Sequence, residues 1–352
     1  MKLNKFNKFF IVKHLAKKIN KWDVFFLILF SLVAATYHGL YIDQRGLSAG
    51  LIISGKVLYP SENNVLYLWY NNSWSIYHHL ISFLIKIGID NVDFINIFII
   101  FLVTLANCYG LFLISKSITK NYLFSLAISF FLVTTQINFG SLDFPVLIFS
   151  EHTNAPIGSA VAILTIGLIG NKNFKLAYFF CLLNIFLHLV IGFWLLFVLG
   201  FSLLFYRDKN ENYQLKSTKT FFILIVSLIF FLLIFINFNL NRIPIIYEEN
   251  TSLYNDYLNI WDDHRNITRP INYTYISFSL IMCVMIIYFL KIKSKFFDGS
   301  QKFMFNIILT HVLFSFLIYI SYKILPNLYP TTLIQAMPHR LFLIHSIFGP
   351  LV

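Results

Sequence analysis

Residues 94–114 read FINIFIIFLVTLANCYGLFLI, a run without a single charged side chain. At about 1.5 Å per residue, a helix of this length reaches across the roughly 30 Å hydrocarbon core of a bilayer. Similar apolar runs recur along the chain, at 23–42, 121–139, 156–170, 176–188, 190–206, 220–238, 273–290, 303–325 and 336–352. The whole sequence agrees with them: 58% of its 352 residues are apolar, 12% are charged, and the mean hydropathy is +0.73. Soluble domains run nearer about 45–50% apolar and about 25% charged. So few charges cannot cover a water-soluble surface of this size. The expected fold is an all-α polytopic transmembrane bundle of about ten spans. Soluble enzymes, secreted disulfide scaffolds and disordered tails are excluded.

Charge placement orients the bundle. Seven lysines precede residue 22 (Lys2, Lys5, Lys8, Lys13, Lys17, Lys18 and Lys21), marking 1–22 as a basic cytoplasmic N-terminus beside anionic lipid. No small-residue cleavage site follows, so the first span reads as uncleaved. With that end inside, the internal loops 1–22, 115–120, 171–175, 207–219 and 291–302 hold nineteen of the 27 Lys and Arg. The stretch 74–89 is apolar but carries His78, His79 and Lys86. If it crossed, twelve of those cations would move outside, against the positive-inside rule, so it reads as re-entrant or surface-lying. The stretch 176–206 lies between two basic loops, which calls for two short helices with a break near His188. The formal charge of +12 is thus a topology signal, and no nucleic-acid partner is expected. The reading places the chain in the inner (plasma) membrane of a bacterium. Residues 23–352 form one transmembrane domain with external loops 43–93, 140–155 and 239–272. The chain ends Phe-Gly-Pro-Leu-Val inside an apolar run, which reads as a short last helix or a truncated one.

The external loops carry eleven of the fifteen acids, and chemistry is sought there. Asp43 stands at the outer end of the first span. A weakly amphipathic helix follows, with Leu47, Leu51 and Leu58 on one stripe and Gln44, Arg45 and Ser48 opposite. Glu151 and His152 precede Thr153, Asn154 and Pro156, residues that cap and start a helix; the acid–imidazole pair is denser than capping needs. Asp262, Asp263, His264 and Arg265 combine carboxylates, an imidazole and a guanidinium, suited to sugar hydroxyls and phosphate or to an ordinary solvated loop. His339 and Arg340 lie near the outer end of the last span, where Arg contacts lipid phosphate or snorkels to headgroups. The adjacent aspartates are oxygen donors of the kind divalent cations take, but adjacent acids alone are a weak metal signal; no cofactor is expected. His188, His311 and His345 lie inside spans without a ligand spacing and read as helix–helix hydrogen bonders. His78-His79 is likewise a weak metal signal. Cys108, Cys181 and Cys283 all fall in apolar runs, so no disulfide framework is implied.

The segment from Asp43 to Pro60, with its surface-lying helix and the turn Gly55-Lys56-Val57-Leu58-Tyr59-Pro60, resembles the first external loop of GT-C glycosyltransferases. The order of spans up to about residue 206 follows the same pattern. Gln44 stands where many members carry a second acid, which speaks against a two-carboxylate arrangement here. The resemblance implies transfer of a sugar from a polyprenyl-phosphate donor to a glycan, lipid or protein acceptor on the extracytoplasmic face. Asp43 would be the general base, and Glu151, His152, Asp262, Asp263, His264, Arg265, His339 and Arg340 would bind substrate. Such a reaction needs a base for the acceptor hydroxyl and cations for the departing phosphate. Two other readings remain: a transporter or flippase of a lipid-linked or anionic solute, and a glycan polymerase or ligase.

Overall fold

The computed structural model describes residues 21–39, 45–58, 65–71, 73, 75–135, 155–205, 260, 273–292 and 294–325. Among them all regular structure is helical. The helices are α1 (Lys21–Gly39), α2 (Arg45–Ser54), α3 (Val65–Asn71), α4 (Ile76–Lys86), α5 (Val92–Thr119), α6 (Tyr122–Thr135), α7 (Ala155–Gly170), α8 (Phe174–Leu187), α9 (Leu189–Phe205), α10 (Tyr273–Lys291) and α11 (Gly299–Ile324), with a 3-10 turn at Ser294–Phe296. The expected spans and these helices coincide to within a few residues wherever the two can be compared. The spans at 220–238 and 336–352 lie outside the described residues.

Two described helices, α5 and α11, are long and apolar enough to cross a membrane. The apolar stretches of α6 to α9 and of α10 are shorter. Outward faces are apolar too. On α11, Leu313, Leu317, Ile320 and Ile324 recur at helical spacing and are all more than half exposed. On α10, Leu280, Ile281 and Val284 do the same.

At the centre lies α7, whose sixteen residues are all buried. A helix apolar on every side is stable against protein or lipid; here α5, α8, α9 and α11 surround it. Its packing on α5 is a backbone-to-backbone contact. A methyl group on Gly110 would sit 2.7 Å from the Leu164 nitrogen, and one on Gly167 would sit 2.6 Å from the Gly110 carbonyl oxygen. Small residues let two helices approach this closely where larger side chains would hold them apart. Asn171 closes the pair by donating to the Leu113 carbonyl at 2.7 Å.

The start of α11 is tied down by polar bonds. Asp298 caps the helix by accepting from the Gln301 amide at 3.0 Å, and Gln301 completes a capping box. The Gln301 side chain also donates to the Ser117 carbonyl of α5 at 2.7 Å. Lys172, in the α7–α8 turn, pairs with Asp298 at 3.1 Å. Burial alone would raise the Asp298 carboxyl. The Gln301 amide, the Ser300 hydroxyl and the Lys172 ammonium outweigh it and hold the group below its ordinary value.

Candidate functional site

Three chain segments meet at the break between α8 and α9. His188 is extended (φ −146°, ψ 98°) and belongs to neither helix, as the charge pattern required. In an uninterrupted helix the Ile191 amide would donate to the Leu187 carbonyl. Here the Ile191 amide donates to His188 Nδ1 at 3.3 Å, so the imidazole serves as the N-terminal cap of α9. The released Leu187 carbonyl accepts from Ser75 Oγ at 2.8 Å. Gly192 then lets α9 fold back, since a Cβ there would overlap the backbone of Asn184 and Ile185. From the other side, Asn184 donates its side-chain amide to the Gly158 carbonyl of α7 at 3.0 Å. Gly158 itself leaves room for the His188 ring.

The second component is the α2–α4 pair. Tyr77 covers Gly46, and Ile81 covers Gly50; a Cβ at either glycine would overlap those side chains. Matching steps of four residues on both helices make the pair parallel. An ion pair between Lys56 and Asp90, both half-exposed, joins the segments that follow the two helices. It holds the Asp90 carboxyl below its ordinary value, chiefly through the Lys56 hydrogen bond. The expected apolar stripe on α2 needs correction. Leu47 is buried and Leu51 half-buried, but Leu58 is 87% exposed and lies beyond the helix end. Gly55, at φ +79°, stops the helix before that position.

Beside the start of α4, Ser73 is held by both histidines. Its Oγ lies 2.5 Å from His78 Nδ1 and accepts from the Ser75 amide at 3.3 Å. Its carbonyl lies 2.9 Å from His79 Nε2, which must therefore carry the proton and donate it. His78 and His79 thus order one turn, and no group of three or more His, Cys, Asp or Glu suited to a metal occurs among the described residues. His311 differs from the expected interhelical bond. Its Nδ1 donates to the Ile307 carbonyl of its own helix at 2.9 Å, and it is fully buried.

The third component is an apolar groove of about 880 Å³ along α1, α5, α7 and α8. Leu176, Phe180, Leu183 and Leu187 line it from α8, a length of about 16 Å at the helical rise. Ile76, Tyr77 and Leu80 bring α4 to it, and Lys21 is the charged residue of its lining. Such a groove accepts a hydrocarbon chain. It offers almost nothing to a polar head, which would have to sit beyond its mouth.

The nine site residues expected from sequence, Asp43, Glu151, His152, Asp262, Asp263, His264, Arg265, His339 and Arg340, lie outside the described residues. Along the chain, Asp43 is two residues before α2 and His152 three before α7. The first turns of those two helices are the ones that Tyr77 and His188 touch. Sequence reasoning missed Ser75, Tyr77 and Asn184. For Tyr77 a signal existed: the small residues Gly46, Ala49 and Gly50 mark a close-approach face on α2. No protein-family model, curated protein or solved structure matches this chain.

Proposed function

We propose that this chain is a multi-spanning membrane glycosyltransferase of the GT-C kind. It would move a sugar from a polyprenyl-phosphate donor to an acceptor on the extracytoplasmic face of the bacterial inner membrane. The full bundle would have about ten spans, with its N-terminus in the cytoplasm. The observation that carries the reading is the apolar groove, whose lining includes Tyr77 and Leu187. Tyr77 also packs on the first turn of α2, and His188, next to Leu187, packs on the first turn of α7; in the chain those two helices follow Asp43 and Glu151-His152. A lipid-linked donor needs this combination: a seat for the tail, and polar groups near its mouth for the phosphate and sugar.

In the proposed mechanism Asp43 takes the proton of the acceptor hydroxyl. His152, His264, Arg265 and Arg340 supply the positive charge that the departing phosphate requires. Apolar outward faces on α10 and α11 support the membrane setting. The transporter reading is supported less well. It calls for a polar cavity at mid-depth lined by His188 and His311, and neither lines the groove.

A transfer assay tests the proposal. Membranes containing the chain are given a labelled polyprenyl-phosphate sugar, and product is compared between wild type and Asp43→Asn. Loss of a general base is expected to cost on the order of a hundredfold or more in rate. Undiminished transfer by the variant removes Asp43 from the mechanism.

A further inference from the structure

Three basic turns converge at the Asp298 junction. The α5–α6 turn brings Lys120, the α7–α8 turn brings Lys172 and Lys175, and the segment from α10 into α11 brings Lys291, Lys295 and Lys302. The turns are tied to one another. Lys172 pairs with Asp298, Ser300 donates to the Gly170 carbonyl at 3.4 Å, and Lys120 donates to the Phe296 carbonyl. Six lysines thus stand against one carboxylate, Asp298, among the described residues of these turns. The same place is apolar. Phe297 roots the 3-10 turn by packing edge-on against Phe289 and Phe305, with ring centroids 5.5 and 5.2 Å apart. Its neighbour Phe296 is left 65% exposed, and Ile292 is 68% exposed. On the first turn of α6, just after Lys120, Leu123 and Phe124 are exposed as well. The Lys120 bond brings these two apolar turns together. Large apolar side chains beside a surplus of ammonium groups match an anionic amphiphile, since lysine stems lie along hydrocarbon while their heads reach phosphate. A soluble polyanion would use the charge and leave four large apolar side chains in water.

We propose that the α5–α6 turn and the 3-10 turn at Ser294–Phe296 form a binding site for the headgroup of an anionic phospholipid. Lys120 and Lys295 hold the phosphate, and Leu123, Phe124, Ile292 and Phe296 meet the first part of the acyl chains. Lys120 is fixed for this role. Its backbone is left-handed (φ 58°) at the end of α5, and its ammonium spends one of three N–H donors on the Phe296 carbonyl, which leaves two for phosphate. The site rests on the chain being a membrane protein with these turns in the cytoplasm, and not on its being a transferase.

Thermal melting of the purified full chain in neutral detergent tests the site. The chain is titrated with phosphatidylglycerol, with phosphatidylcholine of the same acyl chains, or with pyrophosphate. The expected result is a saturable rise in melting temperature with phosphatidylglycerol alone. Lys120→Asn combined with Lys295→Gln should raise the half-saturating lipid concentration on the order of twentyfold, since each lysine near an anionic surface is worth about fivefold in attachment. Asn is chosen because it tolerates the left-handed backbone of Lys120. Phe296→Ser keeps every charge and the carbonyl that Lys120 meets, and should weaken the response severalfold; it decides alone if the double variant fails to fold. Lys323→Gln, at the far end of α11, should leave the titration unchanged. An equal rise with phosphatidylcholine or with pyrophosphate overturns the proposal, and so does an unchanged response in the double variant or in Phe296→Ser. A chain that resists alkaline extraction from membranes yet shows no rise with phosphatidylglycerol overturns the site and leaves the membrane reading standing. A chain released by alkali overturns both.

Discussion

Two junctions hold this bundle together, and they are built differently. Around His188, three hydrogen bonds (Ser75 to Leu187, Asn184 to Gly158 and Ile191 to His188) join α4, α7, α8 and α9, but the close approaches there and along α2–α4 are set by shape: Gly46 under Tyr77, Gly50 under Ile81, Gly158 under His188, Gly192 against Ile185. Around Asp298, the ends of α5, α7 and α11 meet by directed bonds. Gln301 reaches Ser117, Ser300 reaches Asp298 at 2.7 Å, Lys172 pairs with Asp298, and Lys120 donates to the Phe296 carbonyl at 3.2 Å. Contact by shape fails when volume is added and tolerates lost polarity. Contact by directed bonds fails when a partner is removed and responds to pH. The junction beside the groove is the first kind, which suits a place that must accommodate an occupant.

The contrast can be broken or sharpened by substitution. The largest effect is expected from Gly192→Val, which forces a branched side chain into the backbone of α8. Overpacking at a fixed contact should cost about 3 kcal/mol, read as a lowered melting temperature in detergent. Gln301→Ala should follow at about 2 kcal/mol, because it removes two hydrogen bonds, one of them to a buried carbonyl. Asp298→Ala should cost about 1 kcal/mol at neutral pH through the lost cap. That cost should fade in acid. The folded-state pKa of Asp298 lies below its ordinary 3.8, so its contribution is whole above the unfolded value and lost as pH falls through the folded one. Melting curves of the two proteins against pH should therefore converge at the acid end. The smallest effect is expected from Asp90→Asn: the melting temperature should not move, since the Lys56 pair is solvent-exposed. A large loss there would show that the first junction depends on charge after all.

Much of the helical layout was legible in the letters. Basic loops at 171–175 and 207–219 called for a break near His188, and α8 does end there, with Gly192 of α9 packed against Asn184 and Ile185. Hydropathy and loop charge set these features, and both are local. The close contacts were harder to read. Gly46 and Gly50 look like flexibility in a loop until Tyr77 and Ile81 arrive from thirty-one residues away. The stripe through Leu58 failed because a glycine with positive φ ends α2 first. Of the site, the sequence marks acids and cations next to helix starts; the groove, which depends on five helices at once, has no linear signature.

The broken helix has a consequence for how the chain is assembled. Ser75 stands at the N-terminal cap position of α4 yet makes no capping bond to its own helix. Its hydroxyl is engaged with the Leu187 carbonyl, the acceptor that a continuous helix through 188 would reclaim for Ile191. A carbonyl oxygen can accept two bonds, so Ser75 does not exclude Ile191; it satisfies an acceptor that the break leaves without its helical donor. Because synthesis runs from the N-terminus, Ser75 is already present when Leu187 emerges from the ribosome. The break at His188 therefore leaves no orphaned carbonyl at Leu187, because an earlier part of the chain is there to bond it.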